Sequence, residues 1–392
     1  MTTPRYRVAD VLRDGWDEYR QAHSIASQVD KVVRHILSCR TSALGGHLYR
    51  CDHCGAEIPL YNSCRDRNCP SCQTSAKEKW LDKRMTELLP VRYFHVVFTL
   101  PHHLNPLIAD NRRILIGELF QTVNWVLQSF AHDPQWKLEG QLGFLSILHT
   151  WTQKLLPHYH LHCLVPGGAW SEERGQWRHS HPRFLFGKDS LARAFQARFI
   201  KRLEALRRRG KLSFDNDAAP LSEPDTWNQL IAKLRKTQWI VYPKATAAGP
   251  EQVLEYLGRY THRIAISDHR IKDITKGQVT FTWRDRNDAN TEKTLTLPED
   301  QFISRFIHHI LPSGFRKIRY MGFLSAYHRG DALPAIRKAL HADAPVNPHA
   351  DESLPERILR RTQVDITLCP RCQQGHLQPT DILIPAPPDK PP

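Results

Sequence analysis

The chain has 392 residues, of which 41% are hydrophobic, so it is longer than one average domain and can fill ordinary folded cores. The formal net charge is +15, which favours a polyanionic partner, most commonly nucleic acid. No apolar run reaches the roughly 18 residues of a membrane span, and residues 1–30 contain no apolar signal core. We therefore expect a cytoplasmic, nucleoid-associated protein with no membrane partner.

Helices and strands are both predicted along the chain. Helices are predicted over residues 1–38, 73–90, 107–130, 190–209, 225–236 and 250–260. Strands are predicted over residues 93–100, 143–153, 159–166, 263–267 and 278–284, with the second and third forming a hairpin. The proline-rich tail after residue 376 is predicted to be disordered. This order favours an α+β sheet domain over a doubly wound parallel sheet.

Most of the nine cysteines lie within residues 39–72. In a reducing compartment such clustering favours metal over disulfides. Two Cys-x-x-Cys pairs are separated by fourteen residues, a spacing close to that of a four-cysteine structural zinc site. We predict that one zinc ion binds the four thiolates of these pairs, namely Cys51, Cys54, Cys69 and Cys72. The candidates for additional zinc ligands are Cys39, His47, Cys64, Cys369 and Cys372.

The pair Cys369 and Cys372 is half a zinc site. It either forms a small knuckle with the nearby His376 or is completed by distant ligands. On the N-terminal cysteine loop, Arg65 and Arg67 are candidate DNA contacts.

The segment around residues 157–165 places three histidines at alternate positions, His158, His160 and His162. Because side chains alternate faces along a strand, the three imidazoles point one way and the residues between them point into a core. Neutral imidazole is a common metal ligand, so we predict that these histidines share one divalent cation. A single core histidine would need no metal, but three alternating ones favour a site.

Neighbouring strands offer further candidates for this site. His149 or Gln153 lies near the histidine row if the two strands pair, and His95 lies on another predicted strand. Each of these residues, taken alone, fits a structural role as well.

Two tyrosines, Tyr256 and Tyr260, are four residues apart in a predicted helix and so share a helix face. Such a pair often serves core packing. Here Arg259 and Arg263 make the helix end basic, which suits a bound phosphate. A tyrosine hydroxyl can attack phosphorus when a cation polarises the phosphate and the phenolic proton is removed. The covalent link conserves the energy of the broken phosphodiester, so the strand can be rejoined without ATP.

Five segments between residues 39 and 267 together resemble the insertion sequence 91 family of rolling-circle transposases. They are CRTSALGGHLYRCDHCG, YNSCRDRNCPSCQ, FHVVFTLP, LHTWTQKLLPHYHLHCLVPGG and YLGRYTHRIAIS. The resemblance implies an HUH-nuclease, ferredoxin-like antiparallel sheet with helices, with Mg²⁺ or Mn²⁺ on His160 and His162. It makes Tyr256 and Tyr260 the nucleophiles. The family usually has Pro where Tyr159 stands and often His where Asn68 stands, and neither departure removes a catalytic group.

From these features we expect three regions. Residues 1–90 form a helical, zinc-binding and DNA-binding module, and residues 91–330 form the HUH catalytic domain. Residues 331–392 hold a helical segment, the Cys-x-x-Cys knuckle and the disordered tail.

The predicted function is a transposase that nicks and rejoins single-stranded DNA through a 5'-phosphotyrosine intermediate. Its partners are single-stranded DNA, hairpin transposon ends and target DNA. A replication initiator or relaxase would share this chemistry. A non-catalytic zinc-dependent DNA-binding protein would leave the three histidines unexplained, and an enzyme acting on small molecules would not need a net charge of +15.

Overall fold

The computed structural model describes residues 4–246, 250–261, 265–285, 287–346 and 349–386. Its helices are α1 (Val8–Ala22), α2 (Ser27–Ser38), α3 (Thr74–Met85), α4 (Asn105–Asp110), α5 (Arg112–His132), α6 (Lys188–Arg208), α7 (Pro224–Lys236), α8 (Pro250–Thr261), α9 (Glu299–Ile307), α10 (Arg329–Ala339) and α11 (Leu354–Thr362). None of the helices in these ranges combines the length and apolar character that crossing a bilayer requires.

The strands lie, singly or in groups, between and after these helices. They are β1 (Gly46–Cys51), β2 (Glu57–Tyr61), β3 (Tyr93–Thr99), β4 (Gly143–Trp151), β5 (Pro157–Pro166), β6 (Gly168–Ser171), β7 (Gln176–His179), β8 (Ile240–Ala245), β9 (Ile271–Thr275), β10 (Gln278–Asp285), β11 (Thr291–Pro298), β12 (Ile318–Gly322) and β13 (Leu377–Leu383).

A five-stranded antiparallel sheet lies at the centre, in the order β12-β4-β5-β3-β8. The predicted hairpin is confirmed: β4 pairs with β5, and His149 stands opposite His160. Two short strands that the sequence pattern did not predict, β8 and β12, form the sheet edges. The predicted α+β class with an antiparallel sheet is confirmed.

The two faces of this sheet have different roles. One face packs against α4, α5, α6 and α7 in the largest hydrophobic core, which includes Tyr159, Leu161, Cys163 and Val165 as predicted. The opposite face carries the histidines, and we call it the histidine face. At one end of the histidine face, apolar residues pack beneath α3 and α8, namely Leu145, Ile147 and Leu164 against Leu81 and Leu254. The sheet therefore separates a dry core from a face on which polar side chains collect.

A second hydrophobic core joins distant parts of the chain. Helices α1 and α2 pack against the three-stranded sheet β9-β10-β11 and α9, with Trp16 and Val32 in the same cluster as Phe281 and Phe302. This second lobe lies beside the other end of the histidine face, because Leu155 of the β4–β5 connection belongs to its core.

Two predicted segments differ from the structure. The tail is not disordered at residues 377–383: β13 pairs with β1 from Leu383 opposite Gly46 to Leu377 opposite Cys51. The exposed edge of the β1–β2 hairpin supplies the backbone partners that order this segment. Residues 387–392 lie outside the described ranges. In the strand predicted over 263–267, the described residues 265–267 are not in a strand.

Candidate metal centre

Three buried histidines, His149, His160 and His162, converge on the histidine face. Their candidate ligand nitrogens all lie within 4.8 Å of one another. The register of the hairpin explains this, because His149 pairs with His160 and the neighbouring pair is Ile147 with His162. Side chains of directly opposed residues point to the same face. Two alternating histidines on β5 and one on β4 therefore form a group able to hold one cation.

The predicted third histidine of the row, His158, does not belong to this group. It lies on the same face, but at the start of β5, where its Nδ1 is 2.8 Å from Nε2 of His102. The backbone pairing is irregular between His149 and Trp151, opposite this end of β5. The structure thus brings His149, rather than the predicted His158, together with His160 and His162.

Hydrogen bonds from neighbouring groups orient two of the three imidazoles. Nδ1–H of His160 donates to the carbonyl of His158 at 3.0 Å, which leaves the lone pair of the neutral ring on Nε2. Nδ1 of His162 is 2.8 Å from Nε2 of His95 on β3. Partners of this kind hold metal-binding histidines in one tautomer and one orientation.

Burial favours the neutral form of two rings at this site, those of His149 and of its neighbour His95. It lowers the pKa of His149 well below its ordinary value, with the neighbouring His162 and His160 adding to the effect. Burial, and then the nearby Lys244, lowers the pKa of His95 to about 4. Because only neutral imidazole binds a metal ion, burial holds His149 in its ligand form at neutral pH.

The three histidines line a cavity of about 720 Å³. This volume is within the range of ligand-binding pockets. Aromatic and basic side chains form its walls, namely Trp151, Tyr242 and Trp283 together with Lys154 and Arg284. Tyr242 is 52% exposed on the edge strand β8. It lies opposite Val97 of β3, and Val97 lies opposite His162 of β5. Lys154 Nζ lies 3.9 Å from the centre of the Trp283 ring.

Helix α8, which carries both predicted tyrosines, lies over the same sheet face as the histidines. Val253 and Leu254 pack in the cluster that contains Leu145 and Leu164. At Gly258 the helix approaches α3 so closely that a Cβ would lie 2.8 Å from Cδ2 of Leu81. The side chains of Tyr256, Arg259 and Tyr260, and all of Arg263, lie outside the described part of the chain.

The cysteines form two groups that differ from the predicted one. Cys39, Cys64, Cys69 and Cys72 lie together, and we call them the N-terminal cysteine site. Cys51, Cys54, Cys369 and Cys372 form a second group, the split cysteine site. The structure does not bring the predicted set of Cys51, Cys54, Cys69 and Cys72 together, and instead places its two pairs in different groups.

The β1–β2 hairpin causes this division. It carries Cys51 and Cys54 at its tip, while Cys39 and Cys64 flank its base. A strand of this length extends roughly 20 Å, too far for one ion to bind both ends.

The remaining predicted site residues differ in their exposure and in their contacts. Arg67 is half-buried and donates to the backbone carbonyls of Pro312 and Phe315, so its guanidinium joins two parts of the chain. Arg65 is exposed on its loop. His47 is exposed on β1 and belongs to neither cysteine group.

Sequence reasoning missed Tyr242, Lys154 and Trp283 as cavity residues. Lys154 lies in the β4–β5 connection, Tyr242 on β8 and Trp283 on β10, and long stretches of chain separate these elements, so no local pattern brings the three residues together. The alternate spacing of Ile240 and Tyr242 in a short apolar run is a sequence signal that could have found β8.

Comparisons with known proteins identify relatives of the chain. A family model described as "Putative transposase" matches residues 143–331, and one described as "Transposase zinc-binding domain" matches residues 11–100. The chain is 42% identical over 373 residues to "Putative transposase y4qJ" of Sinorhizobium fredii, with 94% of each chain covered. It is 30% identical over 320 residues to "Transposase for insertion sequence element IS801" of Pseudomonas savastanoi pv. phaseolicola, covering 80% of this chain and 75% of that relative. No solved structure gives a significant match.

Proposed function

The chain belongs to the insertion sequence 91 family of transposases, and on that premise we propose that it nicks and rejoins single-stranded DNA at transposon ends through a 5'-phosphotyrosine link. The observation that carries this proposal is the buried group His149, His160 and His162, which lies at an open cavity on the sheet face covered in part by α8. A metal-binding group and a tyrosine-bearing helix on one face are the two parts that the reaction needs.

The donor set fits a divalent transition metal. Imidazole nitrogen suits first-row transition metals such as Zn²⁺, whereas Mg²⁺ demands oxygen ligands. Mn²⁺ is a transition metal that binds imidazole more strongly than Mg²⁺ does and still accepts phosphate oxygen, so we expect Mn²⁺ to support the reaction better than Mg²⁺. Three protein ligands leave coordination positions open toward the cavity. A bound divalent cation would polarise a phosphate oxygen of the DNA and stabilise the charge that develops during displacement.

The chemical step belongs to Tyr256 and Tyr260. The phenolic oxygen of one tyrosine forms a bond to phosphorus while the bond from phosphorus to the 3'-oxygen breaks. The proton lost by the tyrosine is balanced by the proton gained at the released 3'-hydroxyl. Rejoining is the reverse displacement, in which a 3'-hydroxyl attacks the phosphotyrosine and releases the tyrosine.

The walls of the cavity suit unpaired nucleotides. Proteins that bind single strands combine aromatic side chains, on which bases stack, with basic groups along the backbone. Tyr242 and Trp283 supply aromatic surface beside the histidines, and Lys154 and Arg284 supply positive charge. Arg65, Arg259 and Arg263 are proposed to extend this contact to the flanking DNA, including hairpin ends and target DNA.

Structural zinc belongs to the N-terminal cysteine site, which lies wholly within the matched zinc-binding domain. Sγ of Cys64 is 3.7 Å from Sγ of Cys72. Tetrahedral zinc with bonds of 2.3 Å to sulfur separates its ligands by about 3.8 Å. The backbone N–H of Cys64 donates to Sγ of Cys39, which stabilises a thiolate.

The test is incubation of the full chain with Mn²⁺ and a single-stranded oligonucleotide that carries the end of its own element. A covalent protein–DNA adduct that survives denaturation is expected, and EDTA should prevent it. The double variant His160→Ala/His162→Ala should bind the oligonucleotide but form no adduct, while His158→Ala serves as the matched control. Full nicking by the double variant in EDTA would overturn the proposal.

A further inference from the structure

The split cysteine site joins the two ends of the chain. Cys51 and Cys54 lie at the tip of the β1–β2 hairpin, and Cys369 and Cys372 lie in the turn before β13. We infer that these four residues bind a second structural zinc ion, which fastens the C-terminal segment with α11 onto the helix pair α3 and α8.

The sulfur positions fit tetrahedral zinc. Sγ of Cys51 is 3.6 Å from Sγ of Cys372, and Sγ of Cys54 is 3.9 Å from Sγ of Cys369. Both separations match the spacing of about 3.8 Å between sulfurs bound to one zinc ion. They are far longer than the bond of about 2.05 Å in a disulfide.

Backbone N–H groups point at the sulfurs in both halves. The N–H groups of His53 and Cys54 each donate to Sγ of Cys51 at 3.4 Å, and Gly375 N–H donates to Sγ of Cys372 at 3.5 Å. Such donors stabilise the thiolate over the thiol. N–H···S bonds thus support both halves, to Cys51 from within its Cys-x-x-Cys turn and to Cys372 from just beyond its own.

The backbone is shaped so that the halves can meet. A Cβ on Gly375 would lie 2.7 Å from Sγ of Cys51 and 2.5 Å from Oδ1 of Asp52, so only glycine fits there. Asp52 Oδ1 accepts from the N–H of His376 at 2.8 Å, and the Asp52 N–H donates to the carbonyl of His376. One backbone hydrogen bond, one hydrogen bond to a side-chain carboxylate and a glycine contact therefore hold the C-terminal turn against the hairpin tip.

The C-terminal segment also carries a charged contact to the tyrosine helix. Arg357 forms an ion pair with Asp82 of α3 at 2.7 Å, and Arg361 forms one with Glu78 at 2.7 Å. Arg361 also lies 3.7 Å from Glu255 of α8, the residue before Tyr256. Fixing residues 369–372 on the hairpin limits how far α11 can leave α3 and α8, because only a short stretch of chain separates the two.

The decisive measurement is the metal content of the full-length chain without a histidine tag. Cys369→Ser/Cys372→Ser should bind one zinc equivalent less than wild type. After zinc is replaced by Co²⁺, the variant should also show a weaker thiolate-to-metal charge-transfer band, because one of the two cysteine sites is lost. The histidine group contributes nothing to that band. Cys163→Ser, which changes a buried thiol in the central sheet, should keep both values. An unchanged metal content and band in the double variant would overturn the inference.

A second measurement needs no variant and so does not depend on whether a variant folds. In the zinc-loaded wild type, the solvent-accessible Cys54 and Cys372 should resist alkylation, and both should become reactive together when a strong chelator removes zinc. Rapid modification of either one in the zinc-loaded chain would overturn the site.

The proposed fastening of the C-terminal segment onto α3 and α8 can be measured separately. Amide hydrogen exchange in β13 and α11 should rise in the double variant while α5 stays protected. Unchanged protection in α11 after loss of the zinc would overturn the fastening role. All three measurements are independent of DNA cleavage, so their failure is distinguishable from failure of the proposed function.

Discussion

His149 and His160 stand directly opposite each other on β4 and β5, with ring centres 5.1 Å apart. This cross-strand pair, rather than the alternation within β5 alone, defines the three-histidine group. His162 completes it from the next position on the same face.

Replacing His149 with alanine tests that assignment. The variant should bind Mn²⁺ at least about 10–100-fold more weakly, since loss of even an outer partner of a metal ligand has that effect. Nicking should fall in parallel. Titration calorimetry with Mn²⁺ measures the affinity. The matched control is His158→Ala, which should bind Mn²⁺ nearly as wild type does, and stronger damage from this variant than from His149→Ala would contradict the assignment.

Tyr242 is expected to stack an unpaired base near the histidine group. Tyr242→Ala should weaken binding of a single-stranded oligonucleotide by about 1–3 kcal/mol and leave the salt dependence unchanged, because stacking releases no counterions. Lys154→Ala should instead lower the magnitude of the salt slope by about 0.7. Fluorescence anisotropy at several salt concentrations separates the two effects. Tyr327, which is 86% exposed and does not line the cavity, provides the control, and an equal loss from Tyr327→Ala would refute base stacking at Tyr242.

Arg361 is expected to be a major stability determinant of the C-terminal segment. Its side chain is only 16% exposed, and its removal takes from the buried Glu78 one of its two cationic partners, leaving Lys77 as the other. Arg361→Ala should therefore lower the free energy of unfolding by about 1–3 kcal/mol, through loss of a charged hydrogen-bonded pair. Arg360→Ala, which breaks a more exposed pair with Glu352, should cost about 0–1 kcal/mol. Urea unfolding of both variants checks this, and similar midpoints would count against a special role for Arg361.

The sequence predicted the central hairpin and its two faces because period-two alternation is a local property. Residues 157–165 alone determine that Tyr159 packs into the core while His160 and His162 share the other face. Choosing between His149 and His158 required the register between β4 and β5. That register depends on the irregular pairing between His149 and Trp151, and no simple sequence pattern predicts this irregularity.

The grouping of the cysteines could not be predicted from their spacing in the sequence. Spacing suggested that the two nearest Cys-x-x-Cys pairs share an ion, but the intervening hairpin separates them. The partner of Cys51 and Cys54 arrives from residues 369–372, and only tertiary structure reveals a pairing over that distance. For the same reason the tail after residue 376 was predicted to be disordered, since the edge that orders β13 belongs to the other end of the chain.

The proposed chemistry depends on Tyr256 and Tyr260 as the nucleophiles. Phe keeps the ring and its packing while removing the hydroxyl, so Tyr256→Phe, Tyr260→Phe and the double variant separate chemistry from a packing role. The most direct measurement is mass spectrometry of the peptide from α8 after reaction with a single-stranded transposon-end oligonucleotide and Mn²⁺. We expect a nucleotide attached to Tyr256 or Tyr260 in wild type, attachment only at the remaining tyrosine in each single variant, and none in the double variant. A double variant that still forms the adduct and transposes at normal frequency would show that neither tyrosine is the nucleophile.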